Sequence, residues 1–164
     1  MSVDRMRRLF VYNRWAWDRV FPSVEKLPAE AYLLDRGSFW GSIHRVLVHS
    51  MSAEWIWLSR IHGSSPVSMM DADDFPNFAA VKARWVPINS EFQTYVGSLI
   101  QEDLQRTVTF QNTHGVEGTL ILGDLLQHVV NHATEHRSQI SPVLWSLGVP
   151  TPPLDYMVFC LEKK

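Results

Sequence analysis

Seven histidines stand in this chain of 164 residues, and three of them fall at successive four-residue steps in HVVNHATEHRSQI: His128, His132 and His136. On a helix, four residues advance the chain by about 400°, so each side chain is offset from the last by about 40°. Adjacent members of the ladder therefore share a face and reach one point in space. Two imidazoles in that relation form a half-site for a transition metal, because both nitrogens approach one ion without straining the backbone. Any third ligand has to come from another helix. The segment SIHRVLVHSMSAEW offers His44, His49 and Glu54. Five residues separate His44 from His49 and His49 from Glu54, about 140° around a helix, so neither pair shares a face. A histidine on an apolar helix face also serves as a hydrogen-bonded core residue, and spacing alone leaves both readings open.

Four amphipathic segments have to position these groups. The first is expected over about Val3 to Val24, where Met6, Leu9, Phe10, Asn13, Trp17, Val20 and Phe21 recur at helical spacing before Pro28. The second is expected over about Phe39 to His62, with Ser38 as N-cap and Gly63 beyond its end. The third spans about Phe78 to Ile100, with a kink or break expected at Pro87. The fourth spans about Leu122 to Leu147, stops at Gly148 and is expected to bend near Pro142. Between the third and fourth, Thr107–Phe110 alternates β-branched residues and is followed by Gly115 and Gly118, the pattern of a small hairpin or extended connection. The proline-rich tail carries Leu154, Tyr156, Val158 and Phe159 and is expected to pack back on the helices. The acidic patch Asp71, Asp73 and Asp74 reads as solvated loop. Together these elements predict an all-α, single-domain chain over 1–164: a four-helix bundle with one long crossover connection and a short hairpin-like segment before the last helix.

Composition narrows the function classes. The hydrophobic fraction of 46% and charged fraction of 20% are those of an ordinary globular domain. A net charge of −2 gives no electrostatic case for nucleic acid, and no apolar run reaches the roughly 20 residues of a membrane span. Cys160 is the one cysteine, so no internal disulfide forms and a reducing compartment is expected. MSVDRMRRLF lacks the apolar core and cleavage site of a secretory signal, which makes the cytoplasm the expected location. Seven tryptophans imply a large aromatic core or rings around a pocket. Trp40, Trp55 and Trp57 are expected to fill the core, with one of them walling a cavity.

Three segments, in order and covering nearly the whole chain, resemble the DinB-like metalloprotein superfamily. LFVYNRWAWDRV is similar to its opening helix and YNxWAN-type signature, with a partial match at Trp17 and Asp18. SFWGSIHRVLVHSMSAEWIWLSRIHG resembles its second helix, whose H-x-x-x-x-E histidine falls on His49. HVVNHATEHRSQISPVLWSLGVPTPPLDY resembles its NHxxHHRGQ helix and Pro-rich tail, with ligands falling on His132 and His136. Glu135 stands where many members have another histidine and Ser138 where glycine is usual; neither is a ligand position in that pattern. The resemblance implies the bundle fold and one divalent transition metal on His49, His132 and His136.

Three neutral imidazoles leave a coordination position open, the pattern of a catalytic site, and zinc or nickel suits such donors. Such an ion activates a water or a thiol. The resemblance implies a small-molecule substrate, including a low-molecular-weight thiol, and thiol transferase-like or hydrolase-like chemistry; the alternative is a non-catalytic metal-binding stress-response protein. Glu135 and His128 are candidate catalytic groups. Asn131, Glu135 and Gln139 are candidates to orient the ligands or act as base. Arg137 is expected in a surface salt bridge, with an anion anchor as the other option. A homodimer is compatible with the apolar tail and with the dimeric relatives.

Overall fold

The structure, a computed structural model, describes residues 1–163. Helix α1, Val3–Val24, starts where the Ser2 hydroxyl accepts from the Arg5 N–H and turns Met6, Phe10, Asn13, Trp17 and Val20 inward. A five-residue helix follows, α2, Ala29–Leu33, which buries Tyr32. Helix α3, Ile43–Ile61, is capped by the Ser42 hydroxyl on the Arg45 N–H. It therefore begins four residues after the expected Phe39. The reason is Gly41, which takes φ 75°, a conformation that cannot continue a right-handed helix, in a turn closed by the Ser38–Gly41 bridge. Phe39 projects from that turn, 92% exposed.

Helix α4, Phe78–Ser98, opens with the Asn77 amide oxygen accepting from the Ala80 N–H and runs on through Pro87. Pro87 lies on the exposed side, where the carbonyl that loses its partner is open to solvent rather than buried in the core. Strands β1, Thr107–Gln111, and β2, Glu117–Ile121, form the expected antiparallel hairpin. Gly118 faces Phe110, whose ring lies 3.1 Å from where a Cβ would stand, so the glycine makes room for the aromatic. Helix α5, Leu122–Ser146, follows directly and ends at Gly148, φ 76°, with the Val149 N–H on the Leu144 carbonyl. Pro142 lies within it, on the exposed side. The tail returns as expected: the Tyr12 hydroxyl donates to the Leu154 carbonyl at 2.9 Å, and helix α6, Tyr156–Glu162, buries Phe159.

Four long helices close a ring in which α1 and α3 each pack on both α4 and α5. Helices α1 and α3 lie across the bundle's diagonal, so the connection between them, which carries α2, is a crossover. Inside the ring Trp17 meets Trp85 at a tilt, ring centroids 4.6 Å apart, with Met6, Phe10, Leu47, Met51 and Phe92 also buried. These two are the fully buried tryptophans; Trp40, Trp55 and Trp57 are half-buried against the core, and Trp145 is exposed. The acidic residues Asp71, Asp73 and Asp74 are exposed on and beside a single 3-10 turn. Among the described residues no helix is long and apolar enough to cross a membrane.

Candidate metal centre

Packing α3 against α5 brings His49 to the pair His132 and His136. The Nε2 atoms of His49 and His132 lie 3.2 Å apart and those of His132 and His136 3.0 Å apart. One ligand atom from each of the three falls within 4.8 Å of the other two. Ion–nitrogen bonds of about 2.0–2.1 Å put tetrahedral donors about 3.3 Å apart and right-angled donors about 2.9 Å apart, so both separations fit a shared ion. Without a proton or cation between them, facing nitrogen lone pairs at these distances repel.

The residues around the cluster orient its rings and shield them from water. The Nδ1–H of His136 donates to Gln139 Oε1 at 2.8 Å, which leaves the Nε2 lone pair directed at its neighbours. Trp40 lies over His49, ring centroids 3.9 Å apart, and meets the His136 ring edge-on at 5.4 Å. Burial, and then the neighbouring His136, lowers the His49 pKa to about 4. Burial, and then His136, His49 and His128, lowers that of His132 to about 3. Both imidazoles are thus neutral at pH 7, the form that binds a metal.

The other sequence candidates are placed less closely. His128 is exposed, one turn before His132 at 5.7 Å between ring centroids, with its ring against Trp57 at 5.2 Å. Its pKa is lowered, by burial against a smaller opposing pull from Glu135. Glu135 itself is exposed, and Asn131 accepts from Gln127, away from the cluster. Of the three candidates to orient a ligand, Gln139 makes the contact. His44, set aside by its spacing, is buried between the Tyr32 hydroxyl and the Ala72 carbonyl, 2.9 Å from each.

Arg137 is not in a surface salt bridge. It is 2% exposed, donating to Asn13 Oδ1 at 2.6 Å and to Thr134 Oγ1 at 2.9 Å, with its guanidinium near the faces of Tyr12 and Trp17. Asn13 passes the contact on: its amide donates to Glu54 at 3.2 Å, and Glu54 also accepts from Trp85 Nε1 at 2.6 Å. Burial raises the Glu54 pKa against the pull of these donors and of Arg137. One buried polar chain therefore ties α1, α3, α4 and α5 together beside the histidines. Its signal was in the sequence: Arg137 occupies the same stripe as Leu126, Val130, Ala133, Ile140 and Leu144, all buried.

The sequence model of the DinB family matches residues 1–162. Protein DinB of Bacillus subtilis (strain 168) is 25% identical over 165 residues, a span of 96% of this chain and 94% of that protein.

Proposed function

This chain belongs to the DinB family, and on that footing we propose that His49, His132 and His136 hold one divalent transition-metal ion, zinc or nickel, at the centre of a metal-dependent enzyme. The observation that carries the reading is the pair of Nε2 separations, 3.0 and 3.2 Å, that gather the three rings, with His49 and His132 kept neutral by burial. When bound, such an ion lowers the pKa of a water or a thiol and so supplies a nucleophile near neutral pH. The chain's own residues do the rest. Gln139 holds the ligating tautomer of His136. Trp40 shields one face of His49 from water. His128, one turn from His132, is the candidate proton acceptor, and Glu135 acts on it through charge. A small-molecule substrate, with a low-molecular-weight thiol as the group activated, a cytoplasmic setting and a homodimer belong to the same proposal.

The test is elemental analysis of untagged wild type and His49→Ala after incubation with zinc or nickel and removal of free ion. The expected result is near one equivalent per chain in wild type and loss in the variant. Little metal in either overturns the site. Consumption of a small thiol by the loaded protein in the presence of an electrophile then separates enzyme from passive metal binder.

A further inference from the structure

Trp40 also borders a cavity of about 260 Å³. Its walls include Trp40, Ile43, Val46, Ile140, Val143 and Gln139. Two of these belong equally to the histidine cluster: Trp40 covers His49, and Gln139 holds His136. The cavity and the cluster thus share two side chains, one indole and one amide.

The lining specifies what fits. No carboxylate borders the space, and the one cation on its rim, Arg36, already donates to the carbonyls of Leu34 at 2.9 Å and Ala31 at 2.7 Å. A cationic ligand would find no carboxylate partner here, and the mainly apolar walls disfavour burying a charge. The amide of Gln139 commits its oxygen to His136, while its NH₂ has no acceptor among the described residues. That leaves the NH₂ of this exposed side chain as a free donor at the edge of a space walled mainly by apolar groups, with the Ser38 and Ser42 hydroxyls also on its border. A dry apolar cavity of about 150 Å³ accommodates benzene, so this one takes roughly a single ring with a short substituent.

We propose that this cavity seats the uncharged, single-ring or compact aliphatic part of the substrate of the histidine site, with a carbonyl oxygen of that substrate accepting from the Gln139 amide. The assignment rests on the metal-site reading above and names the substrate class for it: a small neutral carbonyl compound. Gln139 is then a positioning residue for ligand and substrate together. The exposed Phe39 also lines the cavity.

Benzamide, neutral and single-ringed with one carbonyl, is the probe. Full-length protein labelled at isoleucine and valine methyls and at the histidine ring nitrogens is titrated with it, and the zinc content of the same sample is measured. The expected result is saturable shifts at Ile43, Val46, Ile140 and Val143 together with a shift at the His136 ring. Val143→Phe, which fills the space, should weaken binding about tenfold or more with zinc content unchanged. If that variant does not fold, Val46→Ile adds one methylene to the same enclosure and should weaken binding about threefold. Absence of methyl shifts in a sample holding one zinc sinks this proposal and leaves the metal site standing. Binding that leaves His136 unmoved, or that both filling variants leave unchanged, also overturns it. Binding by a protein that takes up no zinc refutes the metal reading and, with it, the substrate assignment made here.

Discussion

Asn13 is the residue whose loss should cost most for its size. It is 1% exposed and joins two buried charges, accepting from Arg137 at 2.6 Å and donating to Glu54 at 3.2 Å. Hydrogen bonds to charged groups contribute about 1.5–3 kcal/mol each, and a buried charge stripped of a partner cannot recover its hydration. Removing both bonds should therefore cost about 3–5 kcal/mol, a large share of the roughly 5–15 kcal/mol that holds a domain folded. Asn13→Leu keeps the branching and heavy-atom count and avoids the cavity that Asn13→Ala would add. Urea unfolding of metal-free protein at pH 7, followed by circular dichroism, measures the cost. Adding Glu54→Gln to each background completes a cycle whose coupling should be about 1 kcal/mol or more. A cost below about 1 kcal/mol for Asn13→Leu, with no coupling, would falsify the claim that this chain of contacts holds the four helices in register.

Three other expectations follow from the geometry. Gln139→Leu removes the acceptor for His136 Nδ1–H and should weaken zinc binding about 10- to 100-fold, measured against a competing chelator; unchanged affinity rules out the tautomer-holding role. Metal-free protein should lose stability as pH falls from the ordinary histidine value near 6.5 through about 4 for His49 and on toward about 3 for His132, because the unfolded chain takes up protons that these buried rings refuse. Urea midpoints at pH 7 and pH 4.5 test the sign, and a midpoint that rises on acidification contradicts it. Tyr12→Phe deletes the hydroxyl bond to the Leu154 carbonyl and should cost about 1 kcal/mol while hastening proteolysis of the tail, with zinc content untouched.

Periodicity carried most of the fold. The limits of α1 and α5 were readable because their apolar stripes run up to the breakers Pro28 and Gly148, and the hairpin was readable from its alternation and glycines. The start of α3 was not, since Ser38 and Ser42 are equally good caps and only the φ of Gly41 decides between them. Five residues are too few to show a period, so α2 went unread. In the site, the i, i+4 pair announced itself, whereas its partner on α3 was singled out by the family resemblance. Arg137 was misplaced because its type outweighed its position: a guanidinium suggests solvent, but its place in the apolar stripe puts it inside. The stacking of Trp40 on His49 depends on the path of a loop, which no local pattern encodes.

Two faces of α5 are held independently at neighbouring residues, and this bears on what a bound ion does for the fold. On one face Gln139 fixes His136. On the other, Asn13 and Thr134 clamp Arg137, one residue away. The backbone at 136–137 is thus set by protein contacts alone, and His49 and His132 are only half-buried, outside the apolar core that joins the helices. In small metal-folded domains the ion supplies most of the folding energy and its removal unfolds the chain. Here the ring of helices buries Trp17, Trp85, Phe10 and Phe92 without any help from the histidines. The bundle therefore stands as the scaffold that presses three imidazoles together, and the repulsion among their lone pairs is part of what would favour a cation between them.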